Sequence, residues 1–536
     1  MKNHFKKVLL VILDGFGIAS RAPGNMVTSA GMKTLDMLIN NYPALGLQAS
    51  GPNVGLTWGE PGNSEVGHTC LGAGRIVLQD APRIDQSITS GEFFKLEVFK
   101  KTIEHIKLNN SALHILGLIG SGNVHASQLQ LYALLELAKN AGLQKVFIHA
   151  ITDGRDTARD EAIHHIADLE RKILQLGVGK IVSITGRFYA MDRAEHWDLT
   201  EKAYQAIVLG EGEKATGPLR ALEMNYEKSI YDETIPPTVI ENENQDPVRI
   251  ISGDAVIMSN YRPDRAVQII QAIVTPNVVP FAKKYSNPQN VFFVTMTEYS
   301  QDLPVEVAFR KAVVKNTLSE VLSNSQKKQF HIAEREKYAH VTYFFDNGKQ
   351  KPFAGEEWEI LKSNASYKEL YQNVPQMSAP ELTAETLKKL GEPYDFVLVN
   401  FANPDVVGHT GNMEASITAL RTIDNILEQL HKYVVEHEDL ILMITSDHGN
   451  IEEVKELKSG EINKTHSTNP VPFLVIAKDL KLKKSRDKGY LYLASKVPQG
   501  LLSDVAPTIL EAFEIAKPEE MTGVSLWSNI SRQISE

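Results

Sequence analysis

Residues 113–125 read LHILGLIGSGNVH, and the same grammar returns at 145–157, KVFIHAITDGRDT, and at 180–193, KIVSITGRFYAMDR. Each begins with a short apolar run and ends in glycine beside charge or histidine. Helical spacing of apolar residues fills 127–141, 160–176 and 195–209. Apolar runs separated by amphipathic helices predict strands of a parallel sheet covered on both faces. Residues 255–259, with a short helix from Ala266, and residues 291–295 extend the alternation. Residues 8–13 are one more buried strand near the start, and 396–401, 440–445 and 472–477 resume the pattern late in the chain. Between the two runs the expectation is an amphipathic stretch from Asn316, a strand at 341–345 and irregular surface connections over 346–392. A helix around 503–508 is expected to close the chain. With 536 residues the chain exceeds one ordinary core, so the predicted fold is α/β with two domains.

Composition narrows the function. Hydrophobic residues make up 43% and charged residues 23%, as in soluble globular proteins. The apolar run after Lys6 and Lys7 is short and ends in Asp14 without a small-residue cleavage site, so it reads as a strand, not a signal peptide. No apolar run approaches the ~20 residues that span a bilayer. Cys70 stands alone, which excludes an internal disulfide and suits a reducing cytoplasm. A formal net charge of −10 argues against nucleic acid as a partner but leaves room for a small anion bound by clustered arginines. No Walker A pattern occurs, and the DGFGIAS stretch after residue 13 lacks the third glycine of a dinucleotide fingerprint.

The loops after the strands carry the chemistry. Ligands of open parallel sheets sit at the carboxyl ends of the strands. His125, Arg155, Asp156, Arg187, Arg193, Arg262 and Arg265 all follow such strands and are expected to converge on one edge. A second set follows other strands: Asp14, then Asp405 and His409, then Asp447 and His448, with His466 just before the strand at 472. Residues 59–75, GEPGNSEVGHTCLGAGR, add Ser64 immediately after a Pro-Gly-Asn turn. A turn serine by itself is only a turn serine. Beside three aspartates and three histidines it becomes a candidate nucleophile. Carboxylate and imidazole without thiolate suit Mn²⁺, Zn²⁺ or Co²⁺ more than Mg²⁺, and seven donors suit two ions. Two ions can activate a hydroxyl and clamp a phosphoryl group. Lys337 is a candidate for neutralising charge on the transferring oxygens, against its reading as a solvated lysine.

The stretches VILDGFG, EPGNSEVGH, DGRDT, GRFYAMDR, NYRPDR, EKYAHVTYFF, NFANPDVVGHTGN, TSDHGN, HSTNPVPF and DVAPTIL, in this order across nearly the whole chain, resemble the 2,3-bisphosphoglycerate-independent phosphoglycerate mutases. The resemblance implies a phosphatase domain of alkaline phosphatase type at 1–78 and 311–536, interrupted by a transferase domain at 79–310. It implies two manganese ions, one held by Asp405, His409 and His466, the other by Asp14, Ser64, Asp447 and His448. It makes Ser64 the phosphate carrier, Asp156 a base, and places His125, Arg155, Asp156, Arg187, Arg193, Arg262, Arg265 and Lys337 around the substrate. A cytoplasmic monomer interconverting 3- and 2-phosphoglycerate is the implied protein. The chain departs from the family pattern at GSGNVHAS, which lacks an acidic residue and a second histidine, and in 353–374. The competing readings are a metal-dependent phosphomonoesterase or sulfatase-like hydrolase, which would not need the arginine loops, and a catalytically silent sensor of phosphorylated metabolites.

Overall fold

A computed structural model describes residues 5–241, 246–311, 313–363, 371–456 and 459–536. The chain divides into two compact units, residues 1–79 with 313–536, and residues 80–312. In chain order the strands are β1 (Lys7–Leu13), β2 (Ala44–Gln48), β3 (Leu113–Ile119), β4 (Val146–Thr152), β5 (Lys180–Gly186), β6 (Glu213–Ala215), β7 (Thr238–Ile240), β8 (Ala255–Met258), β9 (Phe292–Thr297), β10 (Glu306–Phe309), β11 (Gln329–Glu334), β12 (Glu356–Leu361), β13 (Phe396–Phe401), β14 (Leu440–Thr445), β15 (Val471–Ile476) and β16 (Gly500–Leu501).

The first unit is built on one sheet, ordered β12-β11-β13-β1-β14-β15-β2-β16. Strand β1 lies between β13 and β14 and runs parallel to both. Its alternate residues serve two cores, as strand geometry requires. Val8, Leu10 and Ile12 pack with Val66, Cys70 and Leu71 of the helix Ser64–Ala73. Leu9, Val11 and Leu13 pack with Leu420, Ile423, Leu427 and Leu430 of the helix Met413–Glu436. Burying each such side chain contributes roughly 1.5–3 kcal/mol before the entropy cost. Cys70 belongs wholly to this packing, and burial pushes its thiol up to about 12.

Topology sets the site. Strands β11, β13, β1 and β14 are mutually parallel, so the segments carrying Lys337, Asp405, Asp14 and Asp447 all leave at the same edge. Strand β15 is antiparallel to β14, so it begins where its neighbours end. That is why His466, which precedes its strand, joins residues that follow theirs.

The second unit carries the sheet β10-β9-β8-β3-β4-β5-β7-β6, parallel from β10 to β5 and antiparallel at β5–β7. The loops after β3, β4, β5 and β8 therefore share one edge.

Three expectations are corrected. Residues 341–345 form no strand; His340–Phe344 is a wide helical turn. Val341 and Phe345, four apart, both reach the core, so an apolar run that looked extended is a buried helical face. Residues 346–392 hold β12 and the helix Ala379–Leu390. Edge strand β12 alternates charged residues with Trp358 and Ile360 and is only half-buried, which hid it in a polar segment. Residues 364–370, within both that segment and the 353–374 departure, lie outside the described residues. Finally, the helix Val505–Ala512 is followed by a second, Trp527–Ser535, which packs Trp527, Ile530 and Ile534 into the core. Among the described residues, no helix is long and apolar enough to cross a membrane.

Candidate active site

Ser64 opens its helix. Asn63 caps it, its side chain accepting from the Val66 amide at 3.1 Å, and Gly74 ends it with φ 61°. The helix approaches the loop after β14 so closely that a Cβ on Gly67 would stand 2.5 Å from the Asp447 carbonyl oxygen. Only glycine at 67 allows that contact. Ser64 is buried, not at a lip as a turn serine would be.

Around its Oγ the predicted residues converge. The Lys337 Nζ donates to Ser64 Oγ at 2.7 Å, and His448 Nε2 is 3.0 Å and Asp14 Oδ1 3.3 Å from it. Lys337 also pairs with Asp14 at 2.5 Å and Asp405 at 2.7 Å. Asp405 Oδ1 is 3.2 Å from His409 Nε2 and 3.3 Å from His466 Nε2. Lys337, for which a solvated lysine was the competing reading, is thus buried in the cluster.

Charge explains the titration. Burial raises the Asp14 carboxyl, and the neighbouring Asp447 raises it further. Burial would raise Asp405 and Asp447 too, yet both are held well below the ordinary range, Asp405 chiefly by Lys337 and Asp447 chiefly by His448 and His68. Burial opposes charge on Lys337, but Asp14 and Asp405 overcome it and raise its pKa.

The donor set fits divalent cations. Donor atoms of Asp405, His448 and His466 lie within 4.8 Å of one another, as do those of Asp14, Asp447 and His448. Asp447 Oδ2 is fully buried with no hydrogen-bond partner. Three carboxylates against one ammonium leave a negative surplus, and a buried carboxylate oxygen whose only close neighbours are the His68 and His448 rings is costly without a cation. His448 stands at the junction of the two groups, and His409 adjoins the first through His466 at 3.0 Å.

In the second unit the loops form one continuous network. The Arg187 guanidinium, buried, donates to Asp153 Oδ1 and to Asp156 Oδ2, each at 2.6 Å. His125 lies 3.8 Å from Asp156 and 3.6 Å from Asp264, and Asp264 accepts from Arg193 at 2.7 Å and Arg262 at 3.0 Å. A cleft of about 300 Å³ is lined by Arg155, Arg187, Arg265, Phe188, His196 and Glu233, among others. Burial, then the charges of Arg193, Arg187 and Arg155, lower the Arg265 pKa. Burial and Arg187 push His125 down to about 4, so its ring is neutral near pH 7.

Several positioning residues escaped the sequence reading. His68 Nδ1 lies 2.8 Å from the Ser64 carbonyl oxygen and 3.2 Å from Asp447, and Asn400 donates to Asp14 at 2.7 Å. Glu452 accepts from the amides of Gly17 and Asn450 at 2.9 Å and from Ser467 and Asn469, tying three ligand-bearing loops together. Asp153 accepts from the Arg155 and Asp156 amides as well as from Arg187. The signal was adjacency: each of these residues except Asn400 sits within four positions of a candidate site residue.

Comparison with known proteins agrees in both units. The model for the BPG-independent PGAM N-terminus matches residues 84–301, and that for type I phosphodiesterase / nucleotide pyrophosphatase matches residues 255–513. A 2,3-bisphosphoglycerate-independent phosphoglycerate mutase from Clostridium perfringens (strain SM101 / Type A) is 44% identical over 97% of this chain and 99% of its own, and one from Clostridium novyi (strain NT) is 43% identical with the same coverage. A crystal structure of Leishmania mexicana phosphoglycerate mutase at low cobalt concentration superposes with a TM-score of 0.59 at 27% identity, covering 97% of each chain. The chain belongs to the family of 2,3-bisphosphoglycerate-independent phosphoglycerate mutases.

Proposed function

We infer that the protein interconverts 3-phosphoglycerate and 2-phosphoglycerate without 2,3-bisphosphoglycerate, and we propose that Ser64 carries the phosphoryl group between the two positions. The observation that carries this reading is the Ser64 hydroxyl, buried at a helix N-terminus within hydrogen-bonding distance of Lys337 and His448. Helix N-termini favour phosphate through their free amides and dipole. The proposed metal is manganese, two ions, held by Asp405, His409 and His466 and by Asp14, Ser64, Asp447 and His448. When bound, such ions lower the proton affinity of a hydroxyl and offset charge on phosphoryl oxygens.

The protein's own groups divide the remaining work. Ser64 Oγ forms a bond to phosphorus as the bond from phosphorus to the glycerate oxygen breaks. Lys337, donating to Ser64 Oγ, stabilises charge on the oxygens in transit. Arg155, Arg193, Arg262 and Arg265 hold the glycerate carboxylate and hydroxyl, because guanidinium forks match carboxylates at two points. Asp156, fixed by Arg187, acts as the base: it takes the proton from the hydroxyl that receives the phosphoryl group back and passes that proton to the glycerate oxygen that gave the group up. His125, neutral, offers a hydrogen bond without adding charge. We propose that the enzyme works as a monomer in the cytoplasm, where its one thiol stays reduced.

A hydrolase with the same metal cluster is the second reading, and product analysis separates the two. Purified protein given Mn²⁺ and 3-phosphoglycerate, with no 2,3-bisphosphoglycerate, yields 2-phosphoglycerate with little inorganic phosphate. Phosphate as the main product would establish the hydrolase instead.

A further inference from the structure

We propose that His331, Asp346 and Glu356 form a structural divalent-cation site in the first unit, separate from the Ser64 cluster and bracing the turn that carries Lys337. A nitrogen of His331 and one carboxylate oxygen each from Asp346 and Glu356 lie within 4.8 Å of one another, and all three side chains are buried. Donors bound to one ion at about 2.0–2.2 Å stand no more than about 4.4 Å apart, so the observed spacing needs only a slight contraction. Imidazole with two carboxylates suits Mn²⁺ or Zn²⁺.

Among the described residues, no lysine or arginine forms an ion pair with either carboxylate. Among the same residues, both oxygens of Asp346 lack a well-formed hydrogen bond, the Ser319 hydroxyl acting on the carboxylate only as a weak donor, and His331 Nε2 and Gln329 Oε1 lack a partner. His331 Nδ1 is 2.8 Å from the Val341 carbonyl oxygen and 3.2 Å from Glu356 Oε1. Glu356 accepts from the Trp358 indole at 2.8 Å and from the Phe353 amide at 2.6 Å, neither of which brings charge. The Phe345 and Phe396 rings meet the His331 ring edge to face, leaving it an apolar surround. Lys349 acts on Asp346 only weakly, its ammonium resting 3.7 Å over the Phe353 ring. Burial, and then Glu356, push the Asp346 carboxyl well above its ordinary range, as expected of two buried acids facing each other without a cation. A proton shared between the two acids would satisfy one oxygen pair and leave the other acceptors bare. A divalent ion balances both charges and gives several acceptors a partner.

The placement suggests the purpose. His331 belongs to β11, Glu356 to β12, and Asp346 follows the turn His340–Phe344, whose first amides bond back to the Lys337 carbonyl. An ion here would pin that turn to the sheet, and with it the lysine at Ser64.

The test is direct. Full-length protein is stripped with chelator, dialysed against Mn²⁺ alone, desalted and assayed for metal per chain, and crystals of the loaded protein are mapped by anomalous scattering at the manganese edge. The expected result is a peak at this cluster, with Asp346→Asn and Glu356→Gln each losing one ion per chain, lowering Tm, and lowering kcat at saturating Mn²⁺ with KM unchanged. Unchanged stoichiometry in the variants, or a wild-type map without a peak here, would overturn the proposal, a shared proton being the replacement. The wild-type map decides even if the variants fail to fold. Ions beside Ser64 but none here refute this inference alone, and ions here but none beside Ser64 refute the two-metal reading of the Ser64 cluster instead.

Discussion

The Asp14, Asp447 and His448 side chains are 0% exposed, while those of Arg155, Arg193 and Arg262 are 56%, 53% and 50% exposed. One region surrounds a hydroxyl with buried anions; the other spreads cations around an open cleft. The contrast follows from what each must do. Activating a hydroxyl requires fixed charges in a medium that does not screen them, and burial provides it. A small anionic substrate must enter and leave, so its binding groups stay wet and rely on number and geometry.

If burial around Ser64 exists to build a nucleophile, Ser64→Ala should cut turnover by at least about 10⁴-fold, as loss of a nucleophile does elsewhere. Substrate binding, measured by calorimetry, should persist because the arginine cleft is untouched. Appreciable residual turnover would show that the phosphoryl group bypasses Ser64. Chelation should be comparably severe but reversible: activity lost in EDTA returns with Mn²⁺, and a protein fully active after exhaustive chelation would break the metal reading.

Lys337→Gln should cost about 10²–10³-fold in kcat, the loss typical of one preorganised donor at a charge-developing oxygen, with KM little changed. Arg193→Lys, in the wet region, should cost less, about 10–100-fold in kcat/KM, corresponding to one or two charge-assisted hydrogen bonds. If the two losses came out in the opposite order, the cleft and not the buried cluster would dominate catalysis.

These residues were legible because they lie at strand ends, and strands of buried parallel sheets announce themselves as apolar runs. The Asp14, Asp405, Asp447 and His448 loops could be placed together once β1, β13 and β14 were recognised. His466 needed the antiparallel reversal at β15, which no periodicity reveals. Edge strand β12 and the turn at 340–344 were obscured because one is half-exposed and the other buries an apolar run at a spacing of four. Glu452 and Asp153 were not singled out; what marks them is accepting several backbone amides at once, a property of the folded chain alone.

The second unit also contains a buried polar chain with no part in the proposed chemistry, and it separates burial from function. Asp254 contacts His114 at 3.2 Å, His114 contacts His149 at 3.0 Å, and His149 contacts Ser183 at 2.8 Å, running across β3, β4 and β5. Unlike the Ser64 cluster, every link here has a partner. Burial, and then His114, lower His149 well below 6.5, so the folded protein keeps it neutral where the unfolded chain takes up a proton. Its contribution to stability is therefore full above about pH 6.5 and declines as pH falls toward its folded value, at a limiting slope of about 1.4 kcal/mol per pH unit. Amide exchange in β3–β5, corrected for intrinsic rates, should show protection falling between pH 7 and pH 5, and His149→Gln should flatten that fall. A slope unchanged in the variant would move the acid sensitivity to another group, with His125, held at about 4 by burial and Arg187, the next to examine.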